Sequence, residues 1–370
     1  MVGIASKSVS PLRLAVLGCG RMGERHIYNI LHATPRAVLS AVCDPRPEAL
    51  DQICKTFPTF TFSTTTDPES LLSSNDIDAV VIATATSTHV DLTLRAIKAG
   101  KHVLLEKPIS IDLKSSRPVI AASEARPEVK VMVGFPRRFD DDYREAYDRL
   151  TSNGLGGPAY QIKSNMHDTY NPDTIDFTLA YSKVSGGIFM DAAIHDIDVS
   201  RWFLDVANPA RLPNPRKQVN RVWGIGQTVR YDAMREWGDS DNALGTIEFA
   251  NGSQAIVHVN RINGYGHQCS VEIFGPTGNI NINPVPFKSR VEIRDAHGVR
   301  HETQFSWLDR LTVGFVNEMN YFVECVLDGK PNPVPPREAF EASKIGAALM
   351  HSLHTGSPVV FDEEGEPIMS

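Results

Sequence analysis

The sequence predicts an α/β protein with two domains: an N-terminal, doubly wound parallel sheet and a C-terminal α/β domain built on a large, mainly antiparallel open sheet. Three observations carry this. From Arg13 to about Gly134, six short apolar runs alternate with helix-like segments, the pattern of βαβ units whose parallel strands are buried on both faces. Beyond Gly134 the texture changes to paired strand-like runs separated by turn residues, the pattern of hairpins. A chain of 370 residues also exceeds what one hydrophobic core usually organises. The expected division is 12–134 and 135–370, with the C-terminal helices packing back toward the first domain.

The six runs of the first domain are "RLAVLG", "AVLSAVCD", "FTFS", "DAVVIATAT", "KHVLLEKP" and "VKVMVGF". Between the fourth and fifth, "STHVDLTLRAIKAG" sets Val90, Leu92, Leu94 and Ile97 on a helix that stops at Gly100. In the second domain "DDYREAYDRL" predicts a helix, "PAYQIKSN" a strand, and "GGIFMDAAIHDIDVSRWFLD" one further helix. Strand pairs follow in "NALGTIEFANGSQAIVHVNRI", turning at Ala250 to Ser253, then in "QCSVEIFGPTGNINI" and "SRVEIRDAHGVRHETQF". Two helices close the chain on either side of the proline-rich "PNPVPP".

Composition removes several classes of function. With 44 acidic against 37 basic residues and no lysine/arginine block, no nucleic-acid footprint is expected. Five widely spaced cysteines without a C-x-x-C pair argue against a disulfide framework or zinc ribbon and for a reducing compartment. The opening "MVGIASKSVSP" is short and polar for a leader, no apolar run reaches membrane-span length, and "PIMS" is no retention or peroxisomal address. A cytoplasmic protein without a membrane partner is expected.

The stretch "VLGCGRMGERH" places Gly18, Gly20 and Gly23 in G-x-G-x-x-G spacing directly after the first strand run. In such a turn the first glycine permits the tight bend, the second lets backbone approach a pyrophosphate, and the third lets helix and strand close. The helix that opens here, with Arg21 and Met22 in its first turn, offers its unpaired N–H groups to phosphate. Asp44 ends the second strand run, where a carboxylate accepts from a ribose 2′-hydroxyl and repels a 2′-phosphate. This reads as an NAD site in preference to NADP. Two other readings stand beside it: Arg46 as a phosphate holder, and Asp44 as a cap of the turn at Pro45.

Ligands of a parallel sheet lie beyond the carboxyl ends of its strands, which directs attention to "ATATSTH", with Thr84, Thr86 and His89, and to "EKPIS", with Glu106 and Lys107. Lys107 precedes Pro108, which restricts its backbone; an ordinary salt bridge with Glu106 is the alternative. In "GGIFMDAAIHDID", Asp191 and His195 are four apart and share one helix face. A carboxylate so placed orients a histidine and supports its cationic form, as a general base requires. An ordinary helical charge pair is one alternative. A metal site drawing on His167 or Asp168 is another, but no H-E-x-x-H spacing supports it and no metal is expected. Asp198, Trp202 and Phe203 read as structural.

Taken together, "GCGRMGERH", "EKPIS", "GFPRRFD" and "GGIFMDAAIHDID" resemble, in order and separation, the glucose–fructose oxidoreductase / inositol dehydrogenase / MocA family over nearly the whole chain. The resemblance implies a Rossmann domain that binds NAD or NADP, an open-sheet domain carrying a sugar or polyol site, and association into a homodimer or homotetramer. It implies a catalytic set of Lys107, Asp191 and His195, and substrate contacts from Arg137, Asn165, His167 and Tyr265. The expected reaction passes a hydride between the nicotinamide cofactor and a secondary alcohol of a cyclic polyol, inositol foremost. His195 would take the hydroxyl proton while Lys107 bonds the same oxygen. The stretch "NGYGHQCSVEIFG" departs from the inositol pattern: His267, Gln268 and Ser270 stand where tyrosine, aspartate and arginine are usual. That leaves another sugar, an anhydrosugar or a dihydrodiol as substrate, and a dinucleotide-binding sensor as the alternative class.

Overall fold

The computed structural model describes residues 10–369. Residues 1–9 and 370, which carry most of the opening segment read above for a leader and the last residue of "PIMS", lie outside them. The chain divides into two compact units, one running to Gly134 and taking in Phe315–Ala339, the other comprising Phe135–Gly314 and the segment from Phe340 onward.

In the first unit six parallel strands, β1 (Leu12–Leu17), β2 (Ala37–Cys43), β3 (Ser63–Thr65), β4 (Ala79–Ile82), β5 (His102–Leu105) and β6 (Val131–Val133), lie in the order β3-β2-β1-β4-β5-β6. Helices α1 (Arg21–Ala33), α2 (Pro47–Thr56), α3 (Pro68–Leu72), α4 (His89–Lys98) and α5 (Leu113–Ala125) provide the crossovers. Every side chain of β4 is buried, which is why its sequence is an unbroken apolar run. The expected run "FTFS" is displaced: the strand forms at Ser63–Thr65, pairing only with β2, while Phe60 sets its ring edge against His32. The winding reverses between β1 and β4, so the loops after these two strands open a crevice at the switch point. The later segment ties itself to this unit through Asn320, whose amide donates to the Ala33 carbonyl at 2.9 Å, and through the Val133 N–H to the Val334 carbonyl at 2.9 Å.

The second unit opens with α6 (Asp141–Thr151), β7 (Gln161–Thr169), α7 (Ile175–Ser182), α8 (Ile188–Asp191) and α9 (Ile194–Phe203). Strands β8 (Val219–Gln227), β9 (Asn242–Phe249), β10 (Gln254–Asn263), β11 (Gln268–Gly275) and β12 (Gly278–Ile282) follow, then a separate ribbon of β13 (Phe287–Asp295) and β14 (Gly298–Thr303). The chain ends with α10 (Trp307–Arg310), α11 (Thr312–Leu327), α12 (Pro336–Thr355) and β15 (Val359–Val360). The seven-stranded sheet has the order β12-β11-β7-β10-β9-β8-β15, antiparallel except where β10 meets β7.

Strand periodicity gives this sheet two unlike faces. Ser164, Met166, Val257, Val259 and Cys269 are buried on the face covered by α8 and α9. Asn165, His167, His258 and Ser270 share the other face with the half-exposed Trp223, Ile225 and Leu244. The single helix expected over "GGIFMDAAIHDIDVSRWFLD" is two: the Ala192 and Ala193 N–H groups both bond the Ile188 carbonyl, at 3.1 and 3.0 Å, and the turn they make separates α8 from α9. Asp191 and His195 therefore sit on either side of a break, not on one continuous helix face.

Candidate active site

In the first unit the glycine turn is shaped by contact. Gly18 has φ +94°, and a Cβ there would lie 2.5 Å from the Ala83 carbonyl oxygen; one on Gly23 would lie 1.8 Å from the Gly18 oxygen. A Cβ on Gly20 would meet nothing within 4 Å. Two glycines thus close the turn against β4 and α1, and the third leaves bare backbone facing open space. Gly20 is also the N-cap of α1, with no side chain capping the helix. These are the features a pyrophosphate needs, and they fit a dinucleotide.

Asp44 follows β2 and is buried. It accepts from the Cys19 N–H at 2.8 Å, the Arg46 N–H at 3.0 Å and Arg46 Nε at 3.0 Å. Burial works to raise its pKa, but the bonds from Arg46 and from the two N–H groups outweigh it and hold the carboxyl below its ordinary value. Asp44 is thus an anion beside the cradle, and Arg46 is engaged with it.

The loops after β4 and β5 are knotted together by His89, whose Nδ1 lies 2.8 Å from the Pro108 carbonyl and Nε2 3.2 Å from the Thr84 carbonyl. Burial lowers the His89 pKa, and a neutral imidazole has one N–H to give, so the shorter contact to Pro108 is the donated bond. Thr84 accepts from the Thr88 hydroxyl at 2.7 Å, and Thr86 begins the short turn ahead of α4. Glu106 is buried and pairs with His26 Nε2 at 2.7 Å. Burial would raise its pKa, but the His26 bond and the charge of Lys107 bring it below the usual range. Lys107 next to it is half-buried. His26 was missed in the sequence, although it sits within the quoted glycine stretch; nothing in local spacing signals a partner 80 residues away.

In the second unit, every residue from Gly187 to Arg201 is buried except His195. Its ring stands edge-on to Phe135, with centroids 5.6 Å apart. Asp191 accepts from the Tyr181 hydroxyl at 3.2 Å on one oxygen and meets Arg261 Nη1 at 3.1 Å on the other. Tyr181 and Arg261 carry no motif and were not anticipated.

The substrate contacts expected from the resemblance are dispersed. Arg137 is fully buried, bonded to Asp196 at 2.7 Å and to Cys269 Sγ at 3.3 Å. Asn165 donates to Ser270 Oγ at 3.1 Å and His167 meets His258 at 3.1 Å. Both lie on the sheet face turned away from α8 and α9, so the fold does not bring them to Asp191. The half-exposed Tyr265 donates to Gln268 on that same face. Asp198 forms a buried bidentate pair with Arg138, at 2.9 and 2.7 Å.

Beneath the sheet, His267 bridges Asp168 at 3.0 Å and Cys269 Sγ at 2.8 Å. Burial opposes a charge on His267, but Cys269 and Asp168 push its pKa up to about 10. Burial likewise opposes the Cys269 thiolate, and Arg137 and His267 bring its pKa below the ordinary value. Among the described residues, no group of three or more His, Cys, Asp or Glu side chains is arranged to hold a metal.

A parallel sheet with this cradle at its switch point, an anion at the end of its second strand and a lysine at the end of its fifth defines a dinucleotide-dependent oxidoreductase. Residues 12–135 match the family model described as an oxidoreductase family with an NAD-binding Rossmann fold, and residues 143–281 match the GFO/IDH/MocA C-terminal domain. The chain belongs to this family, and its cofactor is NAD. It is 34% identical to the scyllo-inositol 2-dehydrogenase (NAD(+)) of Bacillus subtilis, over 95% of this chain and 96% of that one. It is 28% identical to the myo-inositol 2-dehydrogenase of Thermotoga maritima, over 95% and 99%. The crystal structure of scyllo-inositol dehydrogenase from Lactobacillus casei with bound NAD(H) and scyllo-inositol superposes with a TM-score of 0.86 at 27% identity, covering 95% of this chain and 99% of that one.

Proposed function

We propose that this protein is an NAD-dependent dehydrogenase that oxidises a secondary hydroxyl of an inositol-type cyclic polyol. The observation that carries the reading is His195, the one side chain between Gly187 and Arg201 that reaches solvent, four residues from an anchored carboxylate. Inositol dehydrogenases among the relatives, similar over both units, supply the substrate class.

When bound, NAD supplies the hydride acceptor. Gly18, Gly20 and Gly23 would admit its pyrophosphate to the N-terminus of α1, with Arg21 and Met22 in the first turn. Asp44, held beside the cradle by the Cys19 and Arg46 N–H groups, would accept from the ribose hydroxyls. Thr84, Thr86, His89 and Glu106, which fix the loops after β4 and β5, would shape the path of the rest of the cofactor. His195 accepts the proton of the reacting hydroxyl, Asp191 supports the imidazolium that forms, and Lys107 donates to the same oxygen as negative charge develops. Asn165, His167 and Tyr265 lie on the other sheet face and take no part in this reading; Arg137 serves by bracing Asp196, the neighbour of His195.

Two finer properties belong to this reading. Homodimer or homotetramer formation is supported by the half-exposed apolar side chains of Trp223, Ile225, Leu244 and Val360 on one sheet face. A cytoplasmic location is supported by five unpaired cysteines.

The test is the rise in reduced-nicotinamide absorbance with NAD and a panel of inositols, aldoses and cyclic diols. Turnover on an inositol is expected, with His195→Ala slower by about 10²–10⁴-fold. Near wild-type turnover in that variant removes His195 as the base; silence across the panel with NAD still bound favours the sensor.

A further inference from the structure

On β10 the residues facing the helices are Val257, Val259 and then Arg261, which is only 6% exposed. A guanidinium so placed costs several kcal/mol unless its charge is met. Here it is met twice: Nη1 lies 3.1 Å from Asp191 and Nη2 lies 4.0 Å from Asp239. Asp239 in turn accepts the Ile188 N–H at 2.8 Å. The four-residue helix α8 is therefore held at its first residue by Asp239 and at its last, Asp191, by Arg261, with one guanidinium between the two carboxylates. The flanking charges keep Arg261 protonated against the opposing effect of burial.

Resting on the assignment of Asp191 and His195 above, we propose that Arg261 is a positioning residue: it fixes the Asp191 carboxylate and takes up part of its charge, and thereby sets the pH at which His195 accepts a proton. Tyr181, from α7, donates to the second Asp191 oxygen, so the carboxylate has a donor on each side.

The other ionisable groups facing this cluster are Asp239 ahead of β9 and Asp168 at the end of β7, whose charge also reaches Arg261. On α9 the neighbouring Asp196 is neutralised by Arg137. Where α12 meets α8 it brings Gly346 and Met350, which are uncharged. A carboxylate near an imidazole stabilises its cationic form, and a guanidinium on that carboxylate offsets the effect.

Removing Arg261 leaves the Asp191 charge uncompensated and makes the imidazole harder to deprotonate. The acid limb of kcat/KM, followed with NAD and a turned-over inositol, should then move to higher pH in Arg261→Gln, by about one unit. Arg261→Lys, which keeps the charge, should leave the limb near its wild-type position; the KM for NAD should be unchanged in both. A limb that stays in place or moves to lower pH in Arg261→Gln, or one that moves equally in both variants, overturns the proposal.

If Arg261→Gln does not fold, Tyr181→Phe removes a second donor to Asp191 and should move the limb the same way by less; an unmoved limb there overturns it as well. His195→Gln tests the underlying assignment separately. An acid limb that survives it refutes the base, whereas a limb lost in His195→Gln but indifferent to Arg261 refutes the positioning role alone.

Discussion

The two units build their share of the chemistry from different material. In the first, the chemistry sits mostly in the backbone: a glycine turn, an uncapped helix start, and the Pro108 carbonyl held by His89. In the second, it sits in side chains drawn from separate elements, with Asp191 on α8, Tyr181 on α7 and Arg261 on β10 meeting around one carboxylate. Backbone sites are local and fail sterically. Side-chain sites are assembled over long separations and fail electrostatically.

The largest expected contrast lies within the glycine turn itself. Gly23→Ala forces a Cβ to 1.8 Å from the Gly18 oxygen and should leave little folded first unit, a loss above about 4 kcal/mol. Gly20→Ala, facing open space, should keep the wild-type Tm yet weaken NAD binding. Thermal melts with and without NAD separate the two; equal stability losses would break the claim that only Gly20 faces the ligand.

Next comes the buried charge in the second unit. Arg137→Met leaves Asp196 without its cation and takes from Cys269 one of the two cations beside it, and should cost about 3–5 kcal/mol in denaturant unfolding. A stable variant with a raised substrate KM would instead make Arg137 a direct substrate contact.

Between these extremes lies the question of what the sequence could disclose. Gly18, Gly20, Gly23 and Asp44 were legible because each answers a local need, either a φ no other residue takes easily, a contact with no room for Cβ, or a place at a strand end. The sheet architecture was legible from apolar runs and turn residues. Asp191 and His195 stand out in the sequence by their spacing, but the break at Ala192 and Ala193 that puts them on separate helices does not, since two alanines carry no signal against helix. Arg261 lies 70 positions from Asp191, and only the folded sheet brings them together. Asn165 and His167 were bound by period two to one face of β7, but which face the helices cover is decided by packing across the whole sheet. Arg137 stands in a stretch that resembles substrate-contacting sequence, and burial against Asp196 is a tertiary outcome.

The smallest effect concerns the face away from α8 and α9. Burial, with the charges of His258 and His267, lowers the His167 pKa to about 4, against about 6.5 in the unfolded chain. The folded protein therefore binds fewer protons between these values, so this group's share of stability is full above about pH 6.5 and is lost as pH falls toward 4. His167→Gln should flatten that part of the stability profile while leaving the acid limb of turnover in place. A shifted turnover limb would connect the open face to the reaction and blur the comparison.

The most direct test of the central claim is to supply an inositol carrying deuterium on the carbinol carbon together with NAD, and to follow the label by mass spectrometry. Hydride transfer predicts deuterium in the reduced nicotinamide ring, slowed turnover relative to the protiated substrate, and label transfer slowed by about 10²–10⁴-fold in His195→Ala. Unlabelled reduced cofactor, or label transfer undiminished in that variant, would contradict the account.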